Sequence, residues 1–158
     1  MSDHTSKDIS AAYSVVKRKY SLNFDLKDKQ TEALLHLVNR RHVLTVLPTG
    51  YGKSEIFALL PLILNEIDQT KKHFSLVVIP LVSLMQDMVD RFTASNIPTT
   101  AVQSANVSDL KDGRFSVLLI TPEYLKDAMR FRGILELDIY QLGLSCFAVD
   151  EAHVLVHW

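Results

Sequence analysis

The chain has a single cysteine, Cys146, among 158 residues. That excludes an intrachain disulfide framework and a cysteine-based zinc site, and the apolar run around it marks Cys146 as a small buried hydrophobe. Glycine and proline are scarce, five of each, which excludes collagen-like and low-complexity architectures. Charge of one sign is also missing: 17 Lys and Arg stand against 18 Asp and Glu, a net charge of −1. No global field therefore draws in polyanions, and any nucleic-acid contact has to be local. Clusters such as Lys17, Arg18 and Lys19, or Arg40, Arg41 and His42, offer such contacts, and an ordinary solvated face is an equally good reading of them. No apolar run reaches membrane length, since the longest, residues 56–64, contains Pro61. The opening MSDHTSKDIS is polar and lacks the apolar stretch of a secretory signal. A soluble, intracellular type of chain is expected.

What is present is a 47% hydrophobic composition at a length that suits one domain, able to bury roughly two thirds of its unfolded surface. Residues 42–47, 76–79, 115–120 and 144–149 read as strands. Their nearly continuous apolar character suits parallel strands covered on both faces. Residues 99–103, after Pro98, read as a further short strand. Helical patterns fall between them at 29–39, 54–66, 81–94 and 122–129. In the second of these, Leu59, Leu60, Leu62 and Ile63 are expected to pack on the sheet, with a local kink at Pro61. Residues 1–20 read as a polar N-terminal extension, helical with a frayed start, and residues 21–158 as the domain. Strands separated by helical crossovers predict a doubly wound α/β sheet, in which ligands bind beyond the carboxyl ends of the strands. The residues that follow each strand therefore carry the functional information.

After the first predicted strand comes Leu47-Pro48-Thr49-Gly50-Tyr51-Gly52-Lys53-Ser54, directly before a helical run. A loop entering a helix N-terminus presents backbone N–H groups and the positive end of the helix dipole to an anion. Gly50 and Gly52 let the backbone curl around phosphate oxygens, Lys53 reaches the terminal phosphates, and the Ser54 hydroxyl is placed to ligate Mg²⁺. The strict pattern has Gly where Leu47 stands, but the part that touches phosphate is intact. Tyr51 is expected to point outward. After the last predicted strand comes Asp150-Glu151-Ala152-His153. Asp150 would hold Mg²⁺ directly or through water, and Glu151 would polarise the water that attacks the γ-phosphate. Each signal alone has a bland reading, a chance helix start or an exposed acidic turn. Roughly 100 residues apart and both at strand ends, they reinforce each other.

Together these motifs resemble those of superfamily 2 helicases, and four further segments occur in the family's order. The run from Val78 to Asp87, containing Pro80 and Ser83, resembles the motif after the second strand of the RecQ-like DNA helicases. Thr121-Pro122-Glu123 resembles their next nucleic-acid-contacting motif, and Gln30 resembles the glutamine that reads the adenine edge. The tail from His153 to Trp158 resembles the start of the aromatic-rich loop that links DNA binding to hydrolysis. The resemblance spans roughly residues 24–158 and implies an incomplete RecA-like P-loop NTPase sheet. It implies a 3′–5′ ATP-dependent DNA helicase using ATP and Mg²⁺ on single-stranded or junction DNA, in repair or recombination, and nuclear if the source is eukaryotic.

By this resemblance Lys27, Gln30, Thr49, Gly50, Tyr51, Gly52, Lys53 and Ser54 bind the nucleotide, and Lys53, Asp150 and Glu151 serve catalysis. Pro80, Ser83, Thr121, Pro122, Glu123, His153 and Trp158 would meet DNA, with Trp158 equally suited to anchoring a core. Lys27 stands where the family usually has Arg, and it lacks the planar fork that stacks on a base. The other histidines, His4, His36, His42, His73 and His157, show no metal-ligand spacing.

The sequence stops eight residues after Asp150, before the family's next strand and its second RecA-like domain. That domain supplies an arginine finger, worth about 10³–10⁵ in rate in related phosphoryl transfer. The missing strand would lie between the phosphate-loop strand and the Asp150 strand, so unpaired sheet edges are expected there. A fragment of a longer helicase that does not unwind DNA alone is the reading that follows. The alternatives are a DEAD/H-box RNA helicase fragment, a non-catalytic nucleic-acid-binding module, and another P-loop ATPase.

Overall fold

The computed structural model describes residues 2–127 and 129–151. Three helices come first: α1 (Ser6–Lys19), α2 (Asp28–Val38) and α3 (Lys53–Ile67). They are followed by β1 (Phe74–Val78), α4 (Val82–Ala94), β2 (Thr99–Ala101), a 3₁₀ turn at Val102–Ser104 and α5 (Val107–Lys111). The chain then runs through β3 (Val117–Ile120), α6 (Pro122–Asp127), α7 (Met129–Leu135), α8 (Asp138–Gly143) and β4 (Leu144–Val149).

Among the described residues the strands form one sheet in the order β2-β3-β1-β4, and every pairing is parallel. Alternation within the strands divides the core. Val77 of β1 and Val117 and Leu119 of β3 face a cluster that includes Ile9, Leu34, Leu60, Met85 and Phe92 from α1 to α4. Phe74, Leu76 and Val78, with Leu118 and Ile120, face Leu110, Phe131, Ile134 and Tyr140 on the other side. Helices thus cover both faces of a parallel sheet, the incomplete RecA-like arrangement, and β1 and β3 are buried at every position. No described helix is long and apolar enough to cross a membrane.

Helix α3 is the central piece. Every residue from Ile56 to Ile63 is buried, so it is apolar all round, as a helix enclosed by α1, α2 and the sheet must be. It runs through Pro61 without interruption. Proline has no N–H to give the carbonyl four residues earlier, and that carbonyl, on Phe57, instead accepts the Ser75 hydroxyl of β1 at 2.8 Å. At the other end of the chain's helical layer, α1 opens on a reciprocal cap. Thr5 Oγ1 accepts from the Asp8 N–H at 3.4 Å, while Asp8 Oδ2 accepts from the Thr5 N–H at 2.7 Å. Ile9, Ala12, Tyr13 and Val16 are buried.

Two expectations are corrected. Residues 42–47 are not a strand: they join no ladder, and Leu44 and Val46 are 88% and 86% exposed. Val43 and Leu47 do pack against the core, so the apolar run that suggested a strand is present as a one-sided contact. A strand also needs a partner for its N–H and C=O groups. Among the described residues the only partner of β4 is β1, and Leu144 and Phe147 are exposed. The helix expected at 122–129 is present at every described residue, 122–127 and 129. Second, Tyr51 does not point outward, as described below.

Candidate functional site

Register brings the motif-bearing strand ends to one level. Val78 of β1 pairs with Ile120 of β3 on one side and Val149 of β4 on the other. Ile79 N–H donates to Ile120 O at 2.8 Å and Asp150 N–H to Val78 O at 3.0 Å. Pro80, Thr121 and Asp150 therefore leave the sheet side by side, at its carboxyl edge.

The phosphate loop meets this edge from α3. Gly50 and Gly52 have φ of +82° and +99°, conformations that cost an L side chain about 1–2 kcal/mol, and Gly52 is the residue from which α3 starts. A Cβ on Gly52 would lie 2.5 Å from Gln30 Nε2, so a side chain there would force the Gln30 amide to move. Gln30, only 3% exposed, is the reason. Its Nε2 donates to Gly52 O at 2.9 Å, and its Oε1 accepts from Lys27 N–H at 2.9 Å, capping the start of α2. An amide side chain has two N–H donors and two acceptor lone pairs, so these two bonds use one of each.

Tyr51 is half-buried and folds back on α2. Its hydroxyl accepts from Lys29 N–H at 3.3 Å, Lys27 Nζ lies 4.7 Å from its ring centroid, and Lys27 Nζ also donates to Tyr51 O at 2.8 Å. The ammonium over a ring face is a favourable cation–π arrangement. Lys27 thus clamps the loop from outside.

Lys53 and Ser54 occupy the first positions of α3. Asp150 lies close enough to feel the charge of Lys53, and its own pKa is pushed up, chiefly by burial and then by the neighbouring Glu151 carboxylate. The Glu151 N–H (donating to Asp150 Oδ1 at 3.1 Å), Lys53 and Arg91 oppose that rise. Glu151 sits at φ +53°, a left-handed conformation uncommon for a non-glycine residue and frequent at functional turns.

The segments assigned to nucleic acid are placed unevenly. Pro80 and Thr121 are buried, Pro122 is half-buried, and Ser83 and Glu123 are exposed. The Thr121 hydroxyl accepts from Tyr124 N–H at 3.2 Å and Pro122 is the first residue of α6, the pattern of an N-cap followed by proline. His153, His157 and Trp158 lie outside the described residues. Of the basic clusters, Lys17 is paired with Asp25, Lys19 with Glu66 and Arg41 with Asp3, surface pairs of small energetic weight.

Sequence reasoning missed a second charge pair at the loop. Glu55 follows Lys53 and Ser54 in the first turn of α3, and its Oε1 is 3.8 Å from Arg91 Nη1 on α4. Glu55 was legible as an acid next to the motif, whereas Arg91, 36 positions on in another helix, carried no local signal.

A parallel sheet with a glycine-bearing loop before a helix and a carboxylate pair at its carboxyl edge is the arrangement of an incomplete RecA-like P-loop NTPase fold. The chain belongs to the DEAD/DEAH box helicase family, whose model matches residues 27–158, and within it to the RecQ-like branch of superfamily 2. It is 36% identical over 126 residues, 77% of the chain, to the mouse bifunctional 3′-5′ exonuclease/ATP-dependent helicase WRN. To the ATP-dependent DNA helicase RecQ of Synechocystis it is 34% identical over 137 residues, 82% of the chain. To the hus2/rqh1 ATP-dependent DNA helicase of Schizosaccharomyces pombe it is 28% identical over 153 residues, 90% of the chain. The chain spans only 8%, 27% and 11% of the lengths of these three relatives.

Proposed function

We propose that this chain forms the nucleotide-binding half of an ATP-dependent 3′–5′ DNA helicase motor acting on single-stranded or junction DNA, in the nucleus if the source is eukaryotic. The observation that carries the reading is the convergence at one sheet edge of the Gln30-held loop, Lys53 at the start of α3, and Asp150 within reach of the Lys53 charge.

Gln30 uses its spare amide N–H and lone pair on the adenine edge. Thr49, Gly50, Tyr51 and Gly52 present backbone amides to the phosphates, with Lys53 on the β- and γ-phosphates. Ser54 and Asp150 offer a hydroxyl and a carboxylate, the hard oxygen donors that suit Mg²⁺. A Mg²⁺ held by these two groups would supply positive charge to the triphosphate. Glu151 accepts a hydrogen bond from the attacking water and aims it at the γ-phosphorus. Positioning and electrostatics carry nearly all of this chemistry. DNA would run along the carboxyl edge of the sheet, meeting the exposed Ser83 and Glu123 and the backbone at Pro80, Thr121 and Pro122, with His153 and Trp158 as further contacts, and these contacts are sequence-independent. A second RecA-like domain is the partner that completes the pocket with an arginine finger.

ATP turnover measured with and without single-stranded DNA tests the assignment. The expected result is turnover near background for these 158 residues, with nucleotide still bound. Strong DNA-stimulated turnover by this chain alone would overturn the half-motor reading.

A further inference from the structure

Beside the phosphate loop, the first turn of α3 holds a carboxylate where a polyanion is to bind. Glu55 is two residues past Lys53, and its Oε2 lies 3.1 Å from where a Cβ on Gly52 would stand. That oxygen is buried and accepts no hydrogen bond. A helix N-terminus stabilises one negative group well, and Glu55 occupies that field before any nucleotide arrives. An unmet buried carboxylate oxygen next to triphosphate is a repulsive element that needs a counter-charge.

Arg91 is placed to be that counter-charge. Its Nη1 lies 3.8 Å from Glu55 Oε1. Its guanidinium carbon is 4.9 Å from the centroid of the Phe92 ring, and Phe92 in turn packs edge-on against Phe57 of α3, centroids 6.3 Å apart. The aromatic pair ties α4 to α3 and so fixes where the Arg91 stem starts. The same guanidinium acts on Asp150 at the end of β4. Arg91 thus acts on two carboxylates, Glu55 and Asp150, while Lys53 acts on Asp150. Removing Arg91 takes a cation from both carboxylates.

We propose that Arg91 is a positioning residue of the nucleotide site, whose guanidinium compensates the Glu55 carboxylate so that the phosphate loop accepts a nucleoside triphosphate. This rests on the nucleotide-site reading above. Its signature is dependence on phosphate charge: losing Arg91 weakens ATP more than ADP, and removing the Glu55 charge offsets the loss.

The test measures Mg²⁺-ATP and Mg²⁺-ADP dissociation constants for wild type, Arg91→Gln, Arg91→Lys, Glu55→Gln and the Glu55→Gln/Arg91→Gln double variant, with thermal midpoints for each. Lys53→Ala serves as the control for the site itself. Arg91→Gln is expected to weaken ATP by about tenfold and ADP by less, the scale of one unit charge across a partly screened site. Arg91→Lys should bind nearly as wild type, Glu55→Gln should bind ATP at least as tightly, and the double variant should recover most of the loss. Equal loss for ATP and ADP, or no recovery in the double variant, overturns the proposal, as does an Arg91→Gln variant that binds normally. If Arg91→Gln fails to fold, Glu55→Gln and the double variant decide by the same comparison. A wild-type chain that binds no nucleotide, or a Lys53→Ala variant that binds as well as wild type, overturns the nucleotide-site reading and this proposal together.

Discussion

Gln30 Nε2 donates to the carbonyl of Gly52 across 2.9 Å, so the first turn of α2 holds the last residue of the phosphate loop at the point where α3 begins. The same side chain caps α2 through Lys27 N–H. The residue assigned to adenine is thereby also the residue that shapes the loop, and two independent features favour glycine at Gly52, its φ of +99° and the 2.5 Å approach of the Gln30 amide to any Cβ.

Gly52→Ala is therefore expected to cost about 1–2 kcal/mol from backbone strain alone, with further loss from the clash. Gln30→Ala should cost about 1–3 kcal/mol by leaving the Gly52 carbonyl and the Lys27 N–H without their partner. Denaturant unfolding of each variant checks this, and a Gly52→Ala protein as stable as wild type contradicts the geometry described.

The Ser75 hydroxyl substitutes for the N–H that Pro61 lacks. Ser75→Ala should destabilise by about 1–3 kcal/mol, because the buried Phe57 carbonyl loses its donor. Pro61→Ala returns an N–H at that position, so Ser75→Ala should cost clearly less in a Pro61→Ala background. Equal costs in the two backgrounds would show that the hydroxyl is not completing the helix.

His73 sets a pH dependence. It is buried, with Nδ1 3.0 Å from Ser145 Oγ and Nε2 3.3 Å from Asp68 O. Burial lowers its pKa below the ordinary 6.5, against the Asp68 carbonyl and carboxylate, which raise it; Lys71 and Arg40 push further down. The unfolded chain then binds a proton more readily than the folded one, so stability is full above about pH 6.5 and declines as pH falls below it toward the lowered folded value. Thermal midpoints between pH 8 and 5 should fall less steeply for His73→Gln than for wild type, and parallel profiles would contradict this.

The sheet was legible because its strands are apolar on both faces: residues 144–149 and the core of 74–78 and 117–120 stand out as continuous runs between helical patterns. The motif-bearing loops were legible because their chemistry is local in sequence, as in Gly50 to Ser54 or Asp150 to Glu151. Residues 42–47 misled because an apolar run reports which side chains avoid water and says nothing of whether a neighbouring strand supplies hydrogen bonds. The short helices α5 and α8 were invisible for a related reason, having too few turns to show a period. Tyr51 and Arg91 depended on tertiary partners, Lys27 and Lys29 for one and Glu55 for the other, and no spacing rule connects residues that distant. The sequence signal that Glu55 did offer, an acid inside an anion-binding turn, was a local conflict of the kind that points to a compensating charge elsewhere.

The most direct test of the account is equilibrium binding of Mg²⁺-ATP to the 158-residue chain, comparing wild type with Lys53→Ala. The account predicts measurable wild-type binding that weakens at least tenfold without the Lys53 charge and that weakens when Mg²⁺ is withheld, with the fold intact by circular dichroism. Identical affinities for the two proteins would contradict the placement of the nucleotide at this strand edge.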